Sequence, residues 1–229
     1  RPNSDPVSKP AREILFTGNI LLTVPRHAQT IQGPGSLPEI QEAVTAALSH
    51  PQDFFYDHPI RIGAAPGENE AMYGLRGLDA AMAFEKVRGN AAKEDRLLCV
   101  LSASVTHQAL RSIVRPYLDS LYTGDDPFPH LCVHVVTELE TGKILERILL
   151  PCQARYLGLG DDRPLRRIFG VDGEYGRHYS FLKAIAPLWS VLLDPGIKGT
   201  FKIDLDQVFP QEELVRETGC SALEHLQTP

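Results

Sequence analysis

Leu97-Leu-Cys-Val-Leu-Ser-Ala-Ser-Val105 is a nearly continuous apolar run that ends in a small polar turn at Ser102-Ala-Ser104. Such a run is what a strand covered on both faces requires, the usual state of strands in a parallel sheet. Downstream, Thr106–Tyr122 has helical spacing, with Leu110, Ile113, Val114, Tyr117, Leu118 and Leu121 as its apolar stripe, and Pro116 predicts a kink. His130–Thr137 reads as a second strand, Ile144–Leu150 as a third segment, Ser180–Leu193 as an apolar helix, and Gly199–Phe209 as a strand ending in acidic residues. Strands alternating with helices predict an α/β fold with an open, mostly parallel sheet flanked by helices. A rival reading makes Glu138–Lys143 a hairpin turn, with a locally antiparallel strand pair.

Upstream, Gly89–Asp95 is a plausible boundary, dividing an N-terminal α+β extension (residues 1–94) from a second domain (residues 95–229). Residues 1–12 are polar and Pro-rich and read as a loose arm. Glu13–Val24 predicts a strand, or a hairpin turning at Gly18-Asn19, and Phe54–Ile62 an extended segment. Ser36 with Glu39 resembles a capping box ahead of a helix over Pro38–Leu48. A second helix, Gly77–Val87, stops at Gly89.

Composition sets the outer limits. The 229 residues carry a net charge of −6 and are 43% apolar, enough to bury a sizeable core. No run approaches the ~18 apolar residues that a membrane span needs. A net acidic chain without Lys/Arg runs argues against sequence-independent nucleic-acid binding. Cys99, Cys132, Cys152 and Cys220 lack metal or redox spacing and are expected to be reduced core cysteines of a cytoplasmic protein.

Chemistry concentrates in Lys202-Ile-Asp-Leu-Asp-Gln-Val-Phe209. Asp204 and Asp206, two residues apart at a strand end, can converge on one divalent cation. Hard ions such as Mg²⁺ or Mn²⁺ prefer oxygen donors and bridge to phosphates. The carboxyl ends of strands are where open α/β sheets gather ligands.

The order of strands and helices over about Asp95–Pro210, closing on this D-x-D triplet and Pro210, resembles the nucleotide-binding half of GT-A-fold glycosyltransferases, especially the family-2-like group. That resemblance implies a Rossmann-like fold and a metal-dependent transfer of a sugar from a nucleotide-diphosphate sugar to an acceptor it does not identify. It makes Asp204 and Asp206 the residues for metal and donor diphosphate. Ser102 and Ser104 then lie near the base, Glu138 near the base or ribose, and Arg177 and Lys183 near phosphate. Gln207 stands where an acid is common in the family. The acceptor-binding half would follow the D-x-D triplet, so we expect the native polypeptide to be longer.

Other motifs carry less. Gly158-Leu-Gly160 lacks dinucleotide or Walker spacing, and Asp172-Gly-Glu-Tyr-Gly176 is too short for a calcium loop. His225 is a conceivable third metal ligand, but reads better as a surface helix residue. Arg163, Arg166 and Arg167 read as a solvated loop face. The alternatives to a transferase are a non-catalytic GT-A-like binding or scaffold domain and a sugar-phosphate nucleotidyltransferase.

Overall fold

The computed structural model describes residues 5–26, 31, 36–52, 59–65, 67–122, 127–169 and 195–227. Within them, β1 (Ile14–Thr23), β2 (Ile60–Arg61), β3 (Leu97–Val105), β4 (Leu131–Thr137) and β5 (Gly199–Lys202) form one five-stranded sheet. β1 pairs with β3 from Leu15↔Leu98 to Leu22↔Val105, and β3 pairs with β4 from Leu97↔Leu131 to Ala103↔Thr137. The other edge of β1 is shared. β5 takes its first half, Ile14↔Gly199 to Thr17↔Lys202, and β2 its end, at Leu22↔Ile60 and Thr23↔Arg61. Every pairing is parallel, so the fold is α/β and Rossmann-like.

Residues 1–94 therefore supply the strand at the centre of the sheet. Gly18-Asn19 lies inside that strand, and the chain does not turn there. Gly18 packs closely there: a Cβ would stand 3.0 Å from Leu101 Cδ2, the end of a side chain that would have to give slightly. From β3 and β4 on one side of β1 the chain returns to β5 on the other, on the edge of β1 that β2 also uses.

Alternation divides the strands into two faces. Ile14, Phe16, Ile20 and Leu22 of β1 join Leu97, Cys99, Leu101, Ala103 and Val105 of β3 in the main core. The helices that complete this core are α2 (Pro38–Leu48), α3 (Glu70–Arg88) and α4 (Val114–Leu121), through Ile40, Val44, Leu75, Leu78, Met82, Tyr117 and Leu118. The opposite face holds a small separate cluster, Leu15, Val100 and Ile197.

Several local expectations change. Pro116 sits in the first turn of α4, where a 3₁₀ segment (Gln108–Ile113) hands over to the α-helix. Ser36 makes no cap; Leu37 is the N-cap of α2, with Pro38 opening the helix. Gly89 does end α3, in the left-handed region at φ 81°. The Glu138–Lys143 hairpin and the Ile144–Leu150 strand segment are replaced by helix. α5 (Glu138–Ile144), a π-helical segment (Leu145–Leu149) and α6 (Leu150–Leu157) run on without a break. Thr137 decides this: its hydroxyl accepts the Leu139 N–H at 3.2 Å while Glu140 accepts the Thr137 N–H at 2.9 Å, a capping box. Burial pushes the Glu140 carboxyl up, but its bonds to Thr137 and the nearby Arg115 outweigh this and hold it below the usual carboxylate range. A short α7 (Arg163–Ile168) follows. The helix expected over Ser180–Leu193 lies outside the described residues.

The C-terminal α8 (Gln211–Thr218) and α9 (Ala222–His225) are tied to α3 through Glu85, which is fully buried. Its carboxylate accepts from Gln211 Nε2 at 2.7 Å, Ser221 Oγ at 2.8 Å and Asn90 Nδ2 at 2.8 Å. Among the described residues, no helix is long and apolar enough to cross a membrane.

Candidate functional site

β3 leaves the apolar pattern on one face only. Ser102 and Ser104 share a side with Val100, and both are 5% exposed. Their neighbour β1 departs in the same way and on the same face: Asn19 is the register partner of Ser102, and Thr17 precedes it by two. The strip continues to the carboxyl ends of both strands, where the Thr106 hydroxyl bonds Thr23 Oγ1 at 2.8 Å and His107 Nδ1 at 2.9 Å. Lys202 of β5 lies opposite Thr17 and extends the same face onto β5. Two strand spacings, about 10 Å, separate the Ser102 row from the Lys202 row.

The D-x-D triplet comes just after β5, because the strand stops at Lys202 and not at Phe209. The Ile203 N–H donates to Thr17 O at 2.8 Å, and the Gln207 N–H closes a turn onto Asp204 O at 3.1 Å. Ile203 and Leu205 are buried in the main core, so the alternating carboxylates of Asp204 and Asp206 are left in solvent. Helix α3 clamps this turn from the core side. Gly74 permits the contact, since a Cβ there would stand 2.6 Å from Leu205 Cα and O. Lys202 Nζ is paired with Asp204 Oδ1. A cleft of about 160 Å³ beside the turn is lined by Gly74, Lys202, Asp204, Gln207 and Val208 among others.

Ser102, Ser104 and Lys202 thus share one face of the sheet, while Asp204 and Asp206 are exposed on the turn beyond β5, where the cleft that Asp204 lines also borders Leu78 and Phe201. Glu138 stands apart. It is 5% exposed, and its Oε2 lies 2.6 Å from Arg111 Nε, while its Oε1 accepts the Val105 N–H at 3.4 Å. This partly buried ion pair links the segments that follow β3 and β4. Arg177 and Lys183 lie outside the described residues, as does the Asp172–Gly176 turn. His225 Nε2 bonds Thr218 Oγ1 at 3.0 Å on the C-terminal helices. Among the described residues, no group of three or more His, Cys, Asp and Glu side chains is placed to hold a metal.

Thr17 and Asn19 are the site residues that sequence reading missed. The signal was present: two polar residues at alternate positions of an otherwise apolar strand, matching Ser102 and Ser104. A larger cleft, about 420 Å³, opens at the carboxyl ends of β1 and β2, with Arg26, Arg61, Glu68 and Glu70 on its walls. Its volume is in the range of small-molecule sites. The chain matches no protein-family model, no curated protein and no solved structure.

Proposed function

We propose that this chain transfers a sugar from a nucleotide-diphosphate sugar to an acceptor, using Asp204 and Asp206 to hold Mg²⁺ or Mn²⁺ against the donor diphosphate. The observation that carries the reading is the exposed carboxylate pair just past the carboxyl end of β5, a parallel strand beside β1.

The donor set fits the ion. Two carboxylate oxygens suit a hard cation that completes its shell with water and substrate phosphates, which is how Mg²⁺ is commonly bound. The Lys202 ammonium beside Asp204 marks the same spot as one that attracts positive charge. When bound, the divalent ion supplies Lewis-acid neutralisation of charge on the leaving diphosphate.

The chain's own residues do the positioning. Buried Ile203 and Leu205, held under Gly74, fix the backbone from which Asp204 and Asp206 project. Lys202 offers a second positive charge for phosphate once it leaves Asp204. Asn19, Ser102 and Ser104 give the donor a polar floor, and the Arg111–Glu138 pair links the segments that follow β3 and β4. Arg177 and Lys183 remain phosphate contacts by resemblance alone.

Calorimetric titration of the folded chain with UDP and GDP, with and without Mn²⁺, tests this. Binding is expected only with the metal, weakened at least about tenfold in Asp204→Ala and in Asp206→Ala. A folded chain that binds no nucleotide contradicts the proposal and favours the non-catalytic scaffold reading.

A further inference from the structure

β4 carries a thiol and an imidazole in contact. Cys132 and His134 are two apart and project from the same side of the strand. Cys132 Sγ lies 3.4 Å from His134 Nε2, within hydrogen-bond distance for sulfur. Both side chains are exposed, although the apolar setting of Cys132 in the sequence predicts a core cysteine. Their register partners on β3 are Leu98 and Val100, so no charged side chain faces them from that strand.

The remaining cysteines provide an internal scale. Cys99 is completely buried, and burial pushes its thiol up to about 12. Cys152 is exposed on α6, and Cys220 is half-buried; neither has an imidazole partner among the contacts of the described residues.

We propose that Cys132 is a reactive thiol, with His134 as its general base, that forms mixed disulfides with low-molecular-weight disulfides. In the step, His134 Nε2 takes the thiol proton as Cys132 Sγ attacks one sulfur of the reagent. A new S–S bond forms, the reagent's own S–S bond breaks, and the departing thiolate takes the proton back from the imidazolium. Oxidation of the Cys132 sulfur to the disulfide level is matched by reduction of the departing reagent sulfur to a thiol, while the other reagent sulfur stays in the mixed disulfide. A nucleophile next to a base within hydrogen-bond reach is the arrangement that speeds such attack.

The folded chain, incubated near neutral pH with dithiobis(nitrobenzoate) and separately with oxidised glutathione, tests this by peptide mass spectrometry of each cysteine over time. Cys132 is expected to be labelled at least about tenfold faster than Cys152. His134→Gln and His134→Asn are each expected to bring Cys132 down to the Cys152 rate, and Cys132→Ser to abolish the fast phase. A wild-type Cys132 no faster than Cys152, or a fast phase that survives both His134 variants, overturns the proposal.

Discussion

The two faces of the sheet are built from the same strands and have opposite characters. On the first face, Phe16, Ile20 and Leu22 meet Cys99, Leu101 and Ala103 under three helices, and the side chains that β1 and β3 present there are apolar. On the second, only Leu15, Val100 and Ile197 form a small cluster, and Thr17, Asn19, Ser102 and Ser104 take the positions toward the carboxyl ends. A parallel sheet ordinarily buries apolar residues on both faces. Giving up apolar contact on one face of two adjacent central strands costs stability, and a binding function is the usual reason for such a departure. The comparison teaches where stability and function separate within a strand: at alternate residues.

The largest expected effect tests that separation directly. Leu101→Ala is expected to cost about 2–5 kcal/mol in urea unfolding, the range for truncating a fully buried Leu. Ser102→Ala, one residue away, is expected to stay within about 1 kcal/mol. Equal losses would break the distinction between the faces.

A second contrast lies in α3, where two glycines face the D-x-D turn. Gly74→Ala forces a Cβ into the Leu205 backbone at 2.6 Å, and is expected to lower stability by about 1–3 kcal/mol. Gly77→Ala meets Val208 Cγ1 at 2.3 Å and Cβ at 3.1 Å, side-chain atoms of a residue that is 46% exposed, with its backbone Cα at an ordinary 3.7 Å. The gain in helix propensity, about 1 kcal/mol, is expected to offset much of that contact. Thermal unfolding of the pair ranks them, and a costlier Gly77→Ala would show that the turn does not rest on Gly74.

The smallest effect concerns the amino-terminal edge of the first face, where α1 (Pro10–Glu13) leads into β1. The Glu13 carboxylate accepts the Lys9 N–H at 2.7 Å and pairs with Lys198 at 3.0 Å, which lowers its carboxyl to about 2. Because the folded value lies below the unfolded one, this stabilisation is complete above the ordinary carboxylate value of 4.5 and is lost as pH falls toward 2. Unfolding followed against pH should show wild type above Glu13→Gln by a constant margin at neutral pH, with the curves merging near pH 2. A margin that persists in acid would assign the effect to packing.

Much of this architecture is legible in the sequence, and the failures have physical causes. The run Leu97–Val105 gave its strand, and α2 has the bounds that its spacing predicts. β1 was harder, because Gly18-Asn19 carries turn chemistry; the glycine packs against Leu101, and the asparagine lies in register with Ser102. Both are long-range facts that local patterning does not contain. Thr137 and Glu140 held the helix signal that corrects the Ile144–Leu150 segment, but the β-branched run before them outweighed it. Near the candidate site, the exposure of Asp204 and Asp206 was legible because alternation with Ile203 and Leu205 is a local property. Burial of Glu138 against Arg111, across two elements, was not.

The central claim is that Asp204 and Asp206, on the turn after β5, bind a nucleotide diphosphate with a divalent ion. Paramagnetic broadening of backbone amide signals by Mn²⁺, with and without UDP, reads this position by position. The account predicts UDP-dependent broadening centred on Lys202–Gln207 and extending to Thr17–Asn19, lost in Asp204→Ala. Broadening that ignores UDP, or that centres on the first-face helices α2 and α4, contradicts it.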